Sequence, residues 1–526
     1  MSFEKYLEKV KNNSNQAIKV EWLNYDESVN FEFTNSLYDI DVVLNVNYQN
    51  GSRRTCTLTL NNDNNQFPIN FNNIWIGQKF KLWMGVYLDD GTPYYYPQGV
   101  FYVSNPEEVY SPTTKTVKIN GVDKWAYLDG TLHGFLSGTY KTGIGTNLYD
   151  AIDSLLLIDT FDEDNHIILD LNECFDIIND ESYCFKDDGN GRFIANNSYG
   201  VDRGTTAQTS FVAKQDVNVS FDYTNESTDV SNKFYITFKR TTNTMNSHVT
   251  GSHSGIIRKG EKIIFKFKRG NGSAYGSATV ENFKCKSIGS VIDPVIPKLS
   301  PYLLNKNYSD GNKVIECPYT AIVERGQTYA DILLEYATIL CAHIYYDANG
   351  RLTIEPMSDE VDDIVDTNKE IVWDFSVEEK TFLGLTQTYN FSKVYNDIIV
   401  LGNIVNGKQF KARVQNRNIM SDTCVQKIGL KTKEPFEDNQ YYSDEQCKEL
   451  AIYYAKVDTI LQKSGDINSL PLYHIDVNKL VTVSTPNNNM GRELFLITGF
   501  TINSLKTMSI NITSVNDLKN FSVVEG

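Results

Sequence analysis

Apolar and polar residues alternate with period two along most of the chain, and helical spacing interrupts that rhythm at a few places. The interruption around which the rest is organised is 328–356, TYADILLEYATILCAHIYYDANGRLTIEP. Tyr329, Ile332, Leu333, Tyr336, Ala337 and Leu340 recur at three- and four-residue spacing, which predicts a helix with one apolar face. Thr328 is placed to cap it by accepting a backbone N–H near Asp331, and Asp331 suits the positive helix start. From 343 to 346 the period changes to two. Asn349-Gly350 predicts a tight I′ hairpin turn with positive φ at both positions, and 351–355 returns as the second strand, stopped by Pro356.

The first 16 residues predict a short amphipathic helix with Phe3, Tyr6, Leu7 and Val10 on one face. Strands follow at 18–23, 30–33, 39–46, 54–60, 80–87, 99–103 and 114–120, an antiparallel sheet or barrel with a turn at Asp89-Asp90-Gly91. A second helix is expected over 147–157, capped by Thr146 and facing inward with Leu148, Ile152, Leu155 and Leu156; an acidic patch, Asp159, Asp162, Glu163 and Asp164, comes after it. Over 182–286 the composition turns to Gly, Ser, Thr and Asn, with short strands at 217–223, 233–240, 262–268 and 277–283. This predicts a self-contained β-sandwich inserted between helix-containing segments. Such an insertion is mild, since doubling a loop costs only about 0.6 kcal/mol of closure entropy. Residues 293–318 read as an irregular connector and 358–366 as an acidic loop. Strands resume at 370–375 and 381–401, with a turn at Val405-Asn406-Gly407. Ser443 and Gln446 predict a reciprocal capping box for a helix bearing Cys447, Leu450, Ala451, Tyr454, Val457 and Leu461. Strands at 479–484, 493–502 and 507–514 end the chain.

Two segments echo each other. WIGQKFKLWM leading to GVFYVSNPEEVYSPTTKTVKINGVD in the first half matches HIDVNKLVTV leading to RELFLITGFTINSLKTMSINITSVND in the second. Lys79 aligns with Lys479, Phe101-Tyr102-Val103 with Phe495-Leu496-Ile497, and Lys115-Thr116-Val117 with Lys506-Thr507-Met508. The alternative is that β-hairpins resemble one another by chance. A true echo means two copies of one β-domain per chain, so three chains would present six similar domains around an axis. The fold class expected is mainly β with an α+β middle. Its parts are a first β-domain over 1–130, a helix-containing middle of 131–181 plus 287–365, an inserted β-sandwich of 182–286, and a second β-domain over 366–526 with a helix near 443–461.

A net charge of −17 and a pI near 4.9 argue against a protein that grips nucleic acid by its phosphates. The acidity is spread through the chain; it serves solubility, or a surface that must not stick to a passing polyanion. With no apolar signal core at the start and no stretch of about 18 apolar residues, the chain is expected to be made in, and to remain in, a cytosol unless carried out. Cys56, Cys174, Cys184, Cys285, Cys317, Cys341, Cys424 and Cys447 show neither C-x-x-C pairs nor zinc-site spacing, so buried free thiols are expected. Cys184 and Cys285 bracket one segment and could lie close, although a cytosolic origin disfavours a disulfide. No nucleophile elbow, H-E-x-x-H, P-loop or dinucleotide fingerprint occurs. None of His133, His166, His248, His253, His343 and His474 adjoins a Cys or Ser nucleophile in sequence, and His343 reads as a core histidine. Asp162, Glu163, Asp164 and His166, or Asp187-Asp188-Gly189-Asn190, could hold a hard cation; without EF-hand spacing, solvated loops are the alternative. No catalytic, cofactor-binding or metal-binding residue is assigned, and no cofactor is expected.

The run 315–356 resembles the central hub proteins of phage tail baseplates, the tail-associated proteins of long non-contractile tails. So do VYNDIIVLGN (394–403), the capped helix after Ser443, LYHIDVNKLVTV (472–483), ELFLITGF, and the early GVFYVSNPEEVYSPTTKTVKINGVDKWAYLDG. The resemblance implies two tube-type β-barrel domains and a homotrimer at the tail tip of a virion. That trimer would join a sixfold tail tube to threefold parts around a channel through which phage DNA passes without specific binding. The implied partners are distal tail or tail tube proteins, the tape measure protein and other baseplate or receptor-binding proteins, with no membrane insertion by the chain's own segments. The insert's KDDGNGRFIANNSYG and KGEKIIFKFKRGNGSAYGSATVENFK resemble jelly-roll carbohydrate-binding modules, which implies contact with a host cell-wall glycan. Phe193, Tyr199, Tyr235 and Tyr275 could stack on sugars, with burial in the core as the alternative. A glycan adhesin working through 182–286 is therefore the second reading. A wall hydrolase using paired carboxylates is the third. It is disfavoured because the last β-domain runs to Gly526 with no wall-degrading module after it, so no enzyme activity is expected.

Overall fold

The computed structural model describes residues 3–12, 15–70, 73–158, 168–179, 183–188, 192–196, 201–239, 241–246, 248–271, 276–288, 291–307, 313–356, 371–459, 462–503, 507–514 and 522–524. The chain is mostly β and forms two compact units, one of Met1–Leu148 with Val295–Gly526 and one of Tyr149–Pro294. The 159–167 acidic patch, the 358–366 loop, Tyr199 and Tyr275 lie outside the described residues.

The first unit is built on a 14-stranded sheet. Its main path runs Val29–Thr34, Gln16–Leu23, Lys79–Tyr87, Pro93–Val103, Thr114–Asp123, Arg54–Asn61, Ile40–Asn47, Glu493–Asn503, Thr507–Ser514, Gln462–Ser469 and Phe382–Asn390. Strands from both ends of the sequence therefore share one sheet, joined where 40–47 runs antiparallel to 493–503, with Asn45 opposite Thr501. Beneath it lies one core that takes Val42, Leu44, Leu58, Phe80 and Phe101 from the first half and Phe495, Ile497, Phe500, Ile502 and Ile510 from the second. The helix Phe3–Lys11 contributes Tyr6 and Val10 to that core, while Phe3 stays partly exposed.

The echo is kept in its first hairpin. Phe80 pairs with Phe101, and Leu480 with Leu496, one residue out of step with the sequence alignment. The third strands differ: 507–514 pairs with 493–503 along its length, whereas 114–123 meets only the end of 93–103 and runs on along 54–61. A further strand, Glu107–Ser111, was not expected; almost wholly exposed, it lacks the alternation that marks a half-buried strand.

The 328–356 stretch folds as helix then hairpin. Thr328 caps the helix Tyr329–Ile339: its Oγ1 accepts the Asp331 N–H at 3.3 Å and the Asp331 carboxylate accepts the Thr328 N–H at 2.8 Å. Ala342–Tyr346 and Leu352–Pro356 pair antiparallel, but the tight I′ turn is corrected to a longer connection. The Gly350 N–H donates to the Asp347 carbonyl, the Asp347 N–H donates to that of Arg351, and Gly350 alone has positive φ, +74°. A turn closed by one left-handed glycine is the three-residue hairpin solution. The two-residue turn with positive φ at both positions occurs instead at Asn406-Gly407, at +52° and +79°. A Cβ on Gly350 would lie 2.4 Å from Val100 Cγ2. Gly350→Ala is therefore expected to cost about 1–3 kcal/mol through overpacking and backbone strain. The check is the urea midpoint at unchanged slope, with Asn349→Ala as the near-neutral comparison.

Two further expectations are corrected. The 293–318 connector carries a short strand, Lys298–Leu299, parallel to 352–356, and a helix, Pro301–Asn305. In the helix Asp444–Asp458, Ser443 Oγ accepts the Gln446 N–H at 3.0 Å, but the Gln446 side chain returns to the Tyr442 N–H and not to Ser443. That helix packs Cys447, Leu450, Ala451 and Ala455 on Ile398, Val400 and Val414.

The second unit is a β-sandwich. One sheet runs Lys186–Asp187, Phe193–Asn196, Ser277–Ser287, Val217–Asn225 and Val249–Ile257, with Ile168–Leu169 also pairing to 277–287. The other runs Phe175–Ile178, Thr206–Ala213, Lys262–Lys268, Lys233–Phe238 and Thr241–Met245. Sheet pairing thus begins ahead of 182. Between the sheets Phe211, Phe221, Phe265 and Phe283 meet ring to ring, with centroids 5.2–6.2 Å apart. All eight cysteines are free. The neighbour of Cys285 in this core is Cys174 and not Cys184, and burial pushes the Cys285 thiol up to about 12.

Candidate interaction surface

Period-two strands that bury one face must present the other. In the first unit's central strands the outward positions are Asp41, Val43, Asn45 and Asn47; Thr55, Thr57, Thr59 and Asn61; and Thr507, Ser509, Asn511 and Thr513. Register lines them up in rows across the sheet. One row crosses seven strands: Val122, Thr55, Asn45, Thr501, Ser509, Asn468 and Gly384. The next comprises Asn120, Thr57, Val43, Asn503 and Thr507.

These short side chains bond to one another. Thr501 Oγ1 donates to Asn45 Oδ1 at 2.8 Å, Thr507 Oγ1 to Asn503 Oδ1 at 3.1 Å, Thr57 Oγ1 to Asn120 Oδ1 at 3.3 Å, and Asn511 to the Asp466 carboxylate. Gly499 sits outward between two asparagines; a Cβ there would come within 3.1 Å of Asn47 Oδ1 and 3.2 Å of Asn511 Oδ1. The result is a broad face of hydroxyls and amides. These two rows carry no charged residue; the neighbouring rows add Asp41, Lys118 and its cross-strand partner Glu107 on one side and Asp466 on the other. Such a face offers hydrogen bonds but few long cations that could fasten a phosphate chain.

Buried charges fix the strands where the first of these rows continues through Tyr102 to Lys79. Glu27 accepts from Lys79 at 2.9 Å and from Lys124 at 2.7 Å, with both ammonium groups almost fully buried. Lys79 also donates to the Tyr25 carbonyl, and Lys124 to that of Gly350, which ties the central hairpin to the first β-strands. Burial alone would raise the Glu27 carboxyl, but Lys124 and Lys79 outweigh it and hold the group below the usual carboxylate range. Arg54 Nη2 donates to both carboxylate oxygens of Asp476, and the Arg53 guanidinium lies 3.2 Å over the Tyr345 ring. Asp123 accepts the backbone N–H groups of Arg53, Arg54 and Trp125.

Two of the histidines, His343 and His474, are built into packing. His343 is buried, with Nδ1 3.1 Å from Asn50 Oδ1 and its ring against Tyr48. His474 Nδ1 meets the Tyr6 hydroxyl at 3.1 Å, and burial lowers its pKa to about 4. Of the aromatics weighed between sugar stacking and the core, Phe193 is a core residue, 5.1 Å from the Phe211 ring. Tyr235 is half-buried and points out of its sheet, opposite Lys266 and Thr244. Asp188, considered for a cation, accepts from Arg192 Nε at 2.8 Å. Among the described residues no group of three or more His, Cys, Asp or Glu side chains could hold a metal, and no helix is long and apolar enough to cross a membrane.

No protein-family model and no curated protein matches the sequence. Among solved structures the chain is similar to the 43 kDa tail protein of prophage MuSo2 from Shewanella oneidensis, with 9% identity over 94% of this chain and 98% of that one and a TM-score of 0.42. It is similar to a tail protein from Neisseria meningitidis, with 7% identity over 95% and 97% and a TM-score of 0.44. It is also similar to prophage tail protein gp18 from Listeria monocytogenes, with 8% identity over 95% and 94% and a TM-score of 0.41. At these identities and TM-scores the likenesses assign no function.

Proposed function

We propose that this chain is a structural protein of a phage-type tail. It acts as a homotrimeric hub that joins a sixfold tube to a threefold tip and lines part of the DNA exit channel with the hydroxyl and amide face of its long sheet. The observation that carries this reading is the row of outward residues running from Thr55 through Asn45 and Thr501 to Asn468: strands from both halves of the chain combine into one continuous row without a charged side chain. A channel for DNA must neither grip phosphate nor lose its water. Mutually bonded Thr, Asn and Ser side chains meet both demands, and the net charge of −17 discourages sticking elsewhere. Among the described residues the main path of the sheet ends at Val29–Thr34 and Phe382–Asn390, whose exposed Val29, Phe31 and Leu383 and single-sided pairing leave edges for neighbouring subunits. Interfaces of an obligate trimer would bury on the order of 2,000 Å² or more.

Light scattering of the purified chain is expected to return three times 59.8 kDa. A monomer at every concentration that permits assembly would count against the hub. The channel itself is tested by Thr57→Lys with Thr501→Lys and Ser509→Lys. Particles carrying this triple variant are expected to assemble normally but to release DNA slower by on the order of tenfold at low salt, with recovery at high salt. Unchanged release would remove this face from the channel.

A further inference from the structure

The outward face of the second sandwich sheet carries a charge pattern opposite to that of the chain. Lys233 and Lys268 are Cα partners across an antiparallel pair, and both are exposed. Thr206 continues their row. The next outward row is Gln208, Lys266, Tyr235 and Thr244. Like charges directly opposite each other, about 5 Å apart at Cβ, are destabilising, and an anion over them relieves that repulsion. Elsewhere in this unit lysines meet acids: Lys239, at the other end of the 233–238 strand, lies 2.9 Å from Asp153, and Lys214 lies 3.2 Å from Asp176. Among the described residues no carboxylate is ion-paired with Lys233, Lys266 or Lys268.

We infer that this end of the sheet is a binding face for an anionic glycan, a chain of hydroxylated units with one negative group per repeat. Three ammonium groups within two rows, about 7 Å apart along the strand, can meet successive negative groups. The Tyr235 ring supplies an apolar platform for a sugar or polyol face. Charge complementarity commits the face to an anionic partner. The spacing favours a glycan over duplex DNA, because a dense polyanion is repelled by a body of net charge −17 while a sparsely charged strand needs only the local lysines. The inference depends neither on the trimer nor on the channel.

The test is binding of the full chain to immobilised poly(glycerol phosphate), polygalacturonate, neutral dextran and duplex DNA, at low and physiological salt. Expected is salt-sensitive binding to one or both anionic polymers and weak binding to dextran. Lys233→Glu with Lys268→Glu should lower that affinity by about tenfold or more. Lys259→Glu with Lys284→Glu makes the same charge change away from this face and should leave it unchanged. Poly(glycerol phosphate) alone would identify phosphate as the recognised group, and polygalacturonate alone carboxylate. Binding that both variants weaken equally, binding to neither anionic polymer, or tighter binding to duplex DNA would each overturn the proposal.

Discussion

Replacing Glu27 by glutamine is expected to destabilise the first unit by about 3–5 kcal/mol, the cost of leaving buried charges without their partner. The carboxylate neutralises two ammonium groups that are 2–3% exposed, and neither can turn out to water without leaving its carbonyl, Tyr25 for Lys79 and Gly350 for Lys124. Glutamine keeps the shape and removes only the charge. Adding Lys79→Met to Glu27→Gln should restore part of the loss, since one uncompensated cation goes with it. The pH dependence has a definite sign. The folded carboxyl titrates below its unfolded value, so its contribution is present above about pH 4.5 and is lost as pH falls through the lower folded value. Glu27→Gln should therefore lower stability at neutral pH and flatten the acid limb of the curve. A stability loss of less than about 1 kcal/mol, taken as the urea midpoint shift times the slope, would mean that water reaches the two lysines.

That cluster also marks where sequence reading stops. The Tyr329–Ile339 helix was legible because its cause is local: an apolar stripe, and a Thr328–Asp331 cap three residues apart. The Thr and Asn alternation of 40–47, 54–61 and 507–514 was equally visible, and with it the existence of a polar face. Which strands carry that face side by side was not, because the pairing of Asn45 with Thr501 joins residues more than 450 apart and no local pattern names a partner. Glu27 sits in an exposed-looking turn, and nothing around it announces two lysines arriving from 52 and 97 residues away. Phe193 stayed open between sugar and core because a four-residue strand does not reveal how it is covered; all four residues of 193–196 are buried, and Phe193 packs on Phe211. The lysine rows of the sandwich show the same limit. Lys266 and Lys268 are visible as alternation in KIIFKFK, but Lys233 joins them only through register.

Asp153→Ala is expected to cost the second unit about 3–5 kcal/mol and to leave the first untouched. Asp153, itself buried, accepts from Arg258 Nε at 3.1 Å and Lys239 Nζ at 2.9 Å, and both cations are buried with it. Arg258 also donates to the Pro294 carbonyl, so the triad fastens the Leu148–Leu156 helix and the last residue of the unit to the ends of two strands. Removing the acid leaves two cations in the position that Lys79 and Lys124 occupy in Glu27→Gln. The two variants can be told apart in one sample, because all five tryptophans, Trp22, Trp75, Trp83, Trp125 and Trp373, belong to the first unit. Tryptophan fluorescence follows that unit alone, while far-UV circular dichroism follows both. Asp153→Ala should shift part of the dichroism transition to lower denaturant and leave the fluorescence midpoint in place; Glu27→Gln should move the fluorescence midpoint. If Asp153→Ala moves both signals together, the units unfold as one and the sandwich is an integral part of the first unit's stability.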